Sequence, residues 1–175
     1  MEKFYSNIIG TPVFADDSTR PFTTVKDIII DPERGNLLAL VVNITKKKVI
    51  APVDIISWRN VIKVHNGNSV ADGKDILRVD EVQKNNIRYM GNKVETETGR
   101  SLGKVFDLAI DSDTLELKKI FAAKGVLSFF RYDTRIIGVK SILDVKEDKI
   151  IVKSGLKTVK EEAKQKVSVK DMAVG

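Results

Sequence analysis

The sequence predicts an all-β protein made of two tandem small β-barrels, and three observations support this prediction. Short runs of β-branched and apolar residues recur along the chain, separated by turns rich in Gly, Pro, Asp and Asn. The segment VKDIIID at 25–31 returns as VFDLAID at 105–111. Segments with a helical pattern lie between these copies and after the second one.

The repeat extends beyond this segment on both sides. The corresponding pairs are Gly10 and Gly91, Val13 and Val94, Leu37 and Leu117, and Leu40 and Ile120, with one residue of slippage in the first two. Further on, APVDII at 51–56 resembles IGVKSI at 137–142. Two copies are too few for a solenoid, so we expect two similar small domains or two halves of one.

Each copy predicts a meander of about five or six short strands. In the first copy, DPERGN at 31–36 is a turn and NLLALVVNI at 36–44 the strand that follows it. In the second copy, DSDTLE at 111–116 and LELKKIFAA at 115–123 have the same roles. Because strand edges must be covered, we expect the strands to close into a barrel or to pack as a sandwich.

These patterns divide the chain into a first barrel at 5–66, a linker at 67–88, a second barrel at 89–154 and a C-terminal segment at 155–175. In the linker, DILRVDEVQKN at 75–85 predicts a short helix or a linker strand. In the C-terminal segment, KTVKEEAKQK at 157–166 suits an exposed helix with a thin apolar face. A helix and a disordered tail remain alternatives there.

Composition narrows the function classes. The net charge of +6 and the pI of about 9.4 permit an acidic partner. However, the 30 basic residues are spread among 24 acidic ones, which favours a mixed surface over a nucleic-acid footprint. The chain has no cysteine, which excludes disulfides, thiolate catalysis and Cys-based zinc sites. Without a signal peptide or a long apolar run, we expect a cytoplasmic protein with no integral membrane segment.

Four aspartates are the first candidates for catalysis: Asp27, Asp31, Asp107 and Asp111. Residues four apart on a strand are separated by ~13 Å, whereas the carboxylates of glycosidases lie roughly 5–9.5 Å apart. We expect Asp31 and Asp111 to bind backbone amides of the turns that they begin. We expect Asp27 and Asp107 to bind neighbouring backbone or loop groups. All four therefore have predicted structural roles, although a site shared between the copies remains open.

Other motifs fall short of known sites. GRSLGKV at 99–105 is one residue short of a phosphate-binding loop and leads into a strand, and DSDTLE lacks the frame of a calcium loop. His65 has no second histidine or cysteine to complete a metal site. We therefore expect no metal and no cofactor.

Two basic hairpins at equivalent places are the candidate partner-binding segments. TKKKV at 45–49 is the first, and KGVLSFFRYDTR at 124–135 is the second. Aromatic and basic side chains together suit stacking on bases or contact with an acidic protein. Alternatively, the two phenylalanines fill a barrel or join the repeats. The candidate residues are Lys46, Lys47, Lys48, Phe129, Phe130, Arg131, Tyr132 and Arg135.

The repeated pattern of Gly-x-x-Val, then V-x-D-φ-x-φ-D (φ, apolar), a Pro/Gly/Asp turn and a long apolar strand resembles the PRC-barrel family. The family is named after the cytoplasmic barrel of the photosynthetic reaction centre H subunit. The C-terminal domain of the ribosome maturation factor and short bacterial and archaeal proteins, some in tandem, share the fold. The resemblance covers residues 5–64 and 89–153. The chain departs from those two members in lacking the H subunit's membrane helix and the maturation factor's N-terminal barrel.

The resemblance implies a non-catalytic adaptor or assembly module that binds another protein or self-associates. The alternative is a ribosome- or RNA-associated factor, which the pI and the FFRYDTR segment favour. A third class is a small enzyme that uses carboxylates from both repeats. Association with a membrane complex also remains open.

Overall fold

The computed structural model describes residues 1–124 and 134–155, together with the backbone of 126–127 and 130–131. Strands dominate this part of the chain, which confirms the predicted all-β class. The α-helices described are α1 (Tyr5–Ile8) and α2 (Leu77–Lys84). The strands are β1 (Glu2–Phe4), β2 (Pro12–Ala15), β3 (Thr23–Thr24), β4 (Asp27–Ile30), β5 (Leu37–Asn43), β6 (Lys48–Ile50), β7 (Ile55–Trp58), β8 (Ile62–Val64), β9 (Val70–Asp72), β10 (Lys93–Thr96), β11 (Ser101–Asp111), β12 (Leu117–Ala123), β13 (Val126–Leu127), β14 (Phe130–Arg131), β15 (Thr134–Gly138), β16 (Ile142–Val145) and β17 (Lys149–Val152).

Two halves of the chain, which we call the first half (residues 5–64) and the second half (89–152), pair their strands in the same way. In the first half, β2 pairs with β8 in parallel, β8 pairs with β7, and β4, β5 and β6 form an antiparallel sheet. In the second half, β10, β17 and β16 repeat the first pattern, and β11, β12 and β15 repeat the second. The structure thus repeats in strand pairing where the sequence repeats in residue pattern.

The turns that follow β4 and β11 contact each other directly. The Leu37 N–H donates to the Leu115 carbonyl, and the Leu117 N–H donates to the Gly35 carbonyl, each at 2.8 Å. Gly35 (φ 73°) and Leu115 (φ 58°) both have left-handed backbone, which glycine adopts more easily than leucine. Such a reciprocal pair of bonds is expected when two halves are related by an approximate two-fold axis.

One apolar core runs through both halves. Leu40 and Ile62 from the first half and Ile120 and Ile150 from the second are fully buried in the same cluster. Trp58 belongs to this cluster and is 5% exposed. The halves therefore pack against each other, a point that the sequence leaves open.

The linker covers the first half with a strand and a helix. β9 extends the antiparallel sheet at the edge of β6. Helix α2 then lays Val79 and Val82, three residues apart on one face, against Ile29 and Val41 in a second apolar cluster. The sequence offered a helix or a strand for residues 75–85, and the helix forms there, whereas β9 lies before that segment.

Two further predictions concern the ends of the chain and the membrane. None of the helices in the described residues is long and apolar enough to cross a membrane. The predicted C-terminal helix or tail lies, apart from Gly155, outside the described residues.

Candidate functional site

Asp31 and Asp111 hold the turns that they begin. The Asp31 carboxylate accepts hydrogen bonds from the backbone N–H groups two and three residues further on, at 2.9 and 3.3 Å. The Asp111 carboxylate accepts the equivalent bonds at 2.9 and 3.2 Å. This is the geometry of an Asx turn, in which the side chain replaces a backbone acceptor.

The two turn aspartates are covered by different cations. Arg78 of α2 binds both carboxylate oxygens of Asp31, at 3.0 and 3.3 Å, whereas the N-terminal ammonium of Met1 lies 3.2 Å from the Asp111 carboxylate. Burial raises the pKa of Asp31, but Arg78 and the turn amides outweigh burial and lower its pKa overall. The turn amides, followed by the ammonium group, lower the pKa of Asp111 to about 2. Both groups are therefore ionised at neutral pH.

Helix α1 joins Asp27 of the first half to Asp107 of the second. The Tyr5 hydroxyl donates to the Asp27 carboxylate at 3.0 Å. The next residue, Ser6, donates its N–H and its hydroxyl to Asp107, at 3.2 and 2.9 Å. Each aspartate also accepts from the backbone N–H that follows it, at 2.8 and 2.9 Å. Burial and the nearby carboxylate charge of Asp27 raise the pKa of Tyr5, so its hydroxyl is a neutral donor.

A groove with a volume of about 430 Å³ runs beside β4. All four residues of β4 line it, together with residues 82–83 and 86–88 of the linker and residues 89–90 at the start of the second half. Tyr5 and Leu108 also line the groove, so both halves contribute to it. Polar and apolar groups contribute almost equally to its lining, and the apolar side chains include Ile28, Ile29, Val41, Val82, Ile87 and Met90.

Charged groups lie among these apolar side chains. They are Asp27, which is held by Tyr5, and two exposed cations, Lys47 and Arg88. Beside them, Ile44 is 65% exposed. The groove therefore combines apolar side chains with charged ones, as the surfaces through which proteins bind one another do.

The structure places the first basic hairpin partly on this groove. Lys47 lines it, whereas Lys48 forms an ion pair with Asp72 of β9 at 3.0 Å. Lys46 is exposed, and its backbone N–H donates to the Asn43 side chain within the turn. Of the three lysines, Lys47 is therefore the one in contact with the candidate site.

The second basic hairpin is described only in part. Arg135 lies half-buried on β15. Phe130 and Arg131 are described as backbone in β14, which pairs with β13. Phe129, Tyr132 and the side chains of Phe130 and Arg131 lie outside the described residues.

Sequence reasoning missed the linker residues that line the groove, among them Asn86, Ile87 and Arg88. One signal was present, because the correspondence of Gly10 with Gly91 places the residues before each glycine in equivalent positions. The Gly10 N–H donates to the Val25 carbonyl at 2.8 Å, and the Gly91 N–H donates to the Val105 carbonyl at 2.9 Å. Each of these bonds stays within one half, so the repeat indicates equivalent positions for these residues but not their contact with β4.

Comparison with known proteins identifies the first part of the chain. Residues 1–85 match the family model of the PRC-barrel domain, which confirms the predicted family for this segment. The match ends there, so the assignment of residues 89–154 to a second barrel stays a prediction. No curated protein matches the chain significantly. PRC-barrel domains are generally non-catalytic and commonly mediate protein interactions.

Proposed function

We propose that this chain, whose residues 1–85 belong to the PRC-barrel family, is a non-catalytic adaptor that binds another protein through the groove beside β4. The observation that carries the proposal is the groove itself, whose lining combines apolar side chains with exposed cations. We propose further that the second half is a second barrel of the same kind and that the protein works in the cytoplasm.

The chemistry of the groove favours a protein partner. Concave apolar pockets anchor the buried side chains that carry most of the binding energy at protein interfaces. Lys47 and Arg88 on the rim, together with the net charge of +6, favour an acidic partner and raise its rate of association. Ile44 adds exposed apolar surface next to the groove.

The bonds of the aspartates support a role without catalysis. Asp31 and Asp111 are engaged by turn amides and a cation, and Asp27 and Asp107 are engaged by α1. Of these four carboxylates, Asp27 alone lines the groove. The hypothesis of an enzyme with carboxylates from both repeats gains no support from this arrangement.

The second candidate is a ribosome- or RNA-associated factor. The exposed cations Lys46, Lys47 and Arg88 favour it, since phosphate groups attract such side chains. Asp27 in the groove works against it because a carboxylate repels phosphate. We therefore place protein binding first.

Photo-crosslinking tests both candidates in one experiment. A photoreactive amino acid replaces Ile44 in the full chain, which is expressed in its native cells and irradiated. We expect a crosslinked protein whose yield falls in the double variant Lys47→Glu, Arg88→Glu. Lys104→Glu, an exposed cation of the second half, is the matched control and leaves the crosslink unchanged.

Three outcomes contradict the proposal. A crosslink to RNA that weakens steeply with salt supports the second candidate instead. The absence of any crosslink at residue 44, with a productive reporter elsewhere, rules out the groove as the binding surface. An enzymatic turnover that Asp27→Asn abolishes contradicts the non-catalytic role.

A further inference from the structure

β4 and the C-terminal part of β11 are equivalent strands with different edges. β11 pairs with β12 on one side and with β1 on the other, where Lys3 lies opposite Ile110 and Phe4 opposite Ala109. Among the described strands, β4 ends its sheet, in the order β4, β5, β6, β9. Within the described residues, a strand thus fills this edge in the second half but not in the first.

The backbone of β4 directs polar groups toward that edge. The Asp31 N–H donates to the Asn36 carbonyl, on the side of β5. Because successive residues of a strand point their N–H and C=O groups to opposite sides, those of Ile30 face away from β5. Ile110, the equivalent residue, is the one that pairs with β1.

The groove lies along this edge. Every residue of β4 lines it, together with residues of the linker. β1 leads into the first half and pairs with β11 of the second. The linker leads into the second half, and helix α2 and residues 86–88 lie beside β4 in the groove. A helix satisfies its own backbone groups, so it cannot pair with β4 as β1 pairs with β11. The groove is the space where the missing strand would lie.

We propose that an extended segment of a partner protein adds to β4 as an antiparallel strand in this groove. The inference rests on the proposed function and specifies how the partner binds. Main-chain bonds to the N–H and C=O of Ile30 and to the C=O of Ile28 supply the pairing, because the Ile28 N–H already donates to the Asp27 carboxylate. Alternate side chains of the segment are apolar, to contact Ile28 and Met90, or acidic, to contact Lys47 and Arg88.

Pro32 limits how far the added strand can pair with β4. In the second half, the Ser112 N–H donates to the Met1 carbonyl at 2.8 Å and extends the pairing with β1 by one bond. Pro32 stands at the equivalent position and has no N–H to donate. Pairing in the groove therefore ends at Ile30.

Peptide selection followed by NMR tests this inference. Twelve-residue random peptides displayed on phage are selected against the full chain, and the selected peptides are synthesised. We expect them to shift the amide resonances of residues 28–30 and to slow hydrogen exchange of the Ile30 amide by about tenfold or more. N-methylation of alternate peptide residues removes the main-chain donors and abolishes this protection.

Charge reversal tests the partner chemistry. The double variant Lys47→Glu, Arg88→Glu raises the dissociation constant of the selected peptides by roughly threefold to tenfold, as expected for the loss of two exposed ion pairs. Lys104→Glu is the control and leaves it unchanged.

Other outcomes of these experiments would overturn the inference. Selected peptides that leave β4 unshifted, or that bind equally well when N-methylated, overturn strand addition. Pairing of β4 with a second copy of this chain, seen as a concentration-dependent dimer with the same protected amides, overturns the heterologous partner. If the peptides do not protect β4 but the crosslink from residue 44 persists, strand addition alone is refuted. If the crosslink is absent, the adaptor role is refuted.

Discussion

The turns after β4 and β11 have the same backbone bonds but differ in what covers them. Asp31 has a side chain that is 7% exposed and is bound by Arg78, which also contacts Glu33 and Glu81. Asp111 has a side chain that is 25% exposed and is bound by the ammonium group of Met1. The local sequence dictates the turn, whereas the cation that neutralises it comes from a distant part of the chain. Four predictions test how far the two halves behave alike, in order of decreasing expected effect.

Equivalent core substitutions have the largest expected effect. Leu37→Ala in the first half and Leu117→Ala in the second each remove a side chain that is at most 4% exposed. Each variant lowers the free energy of unfolding by about 2–5 kcal/mol, because the core is continuous and a cavity remains. Urea unfolding followed by Trp58 fluorescence, which reports on the first half, and by circular dichroism measures both effects. If Leu117→Ala shifts the dichroism but leaves the Trp58 transition in place, the halves unfold independently.

Removal of the cation over the first turn comes next. Arg78→Ala leaves the buried Asp31 carboxylate with only its turn amides, which costs about 1–3 kcal/mol. Arg78→Lys keeps the charge without the two-point contact and costs less. The control is Lys84→Ala on the same helix, whose exposed ion pair with Asp80 contributes under about 1 kcal/mol. Equal effects of Arg78→Ala and Lys84→Ala on the urea midpoint would show that the turn does not depend on α2.

Removal of the bonds between α1 and the two halves has a smaller effect on the free energy of unfolding. Tyr5→Phe removes the hydroxyl that binds Asp27 and lowers the free energy of unfolding by about 0.5–1.5 kcal/mol. Ser6→Ala removes an exposed hydroxyl that donates to Asp107, and it lowers the free energy of unfolding by less than about 0.5 kcal/mol. Thermal unfolding of the two variants measures the difference. The reverse order of effects would mean that α1 is held chiefly by the second half.

The pH dependence of Asp111 has the smallest expected effect. Its pKa of about 2 in the folded protein lies below the ordinary value of about 3.9, so its contribution is complete above the ordinary value. That contribution is lost as the pH falls from about 5 to about 2. Asp111→Asn therefore flattens the fall in urea midpoint over this range, whereas the exposed control Asp148→Asn leaves its slope unchanged. An unaltered slope in Asp111→Asn would show that the turn carboxylate is not preferentially ionised in the folded state.

Much of the fold follows from local patterns in the sequence. VKDIIID and VFDLAID form equivalent strands, and the aspartate that ends each segment binds the amides of a turn. The linker was less determined, because DILRVDEVQKN was compatible with a helix or a strand; it forms α2, and β9 lies in the residues before it. The family prediction is confirmed over residues 1–85.

The candidate site was mostly beyond the reach of sequence patterns. Lys47 was named as a candidate, but Arg88 and Tyr5 were not. The groove joins residues from β4, the β5–β6 turn, the linker and the second half, which are far apart in the sequence. Their meeting depends on how the halves pack, and no local periodicity encodes that packing.

By itself, the sequence determined the strands, their tight turns and the repetition of both, because alternation of side chains and turn chemistry act over a few residues. The tertiary structure alone decided which edge receives a strand and which is left beside a groove. β1 reaches β11 as an extended segment, whereas α2 passes β4 as a helix anchored by Val82 and by Arg78 on Asp31. The physical reason is that burial of the apolar face of α2 and the neutralisation of a buried carboxylate are satisfied only when distant segments come together.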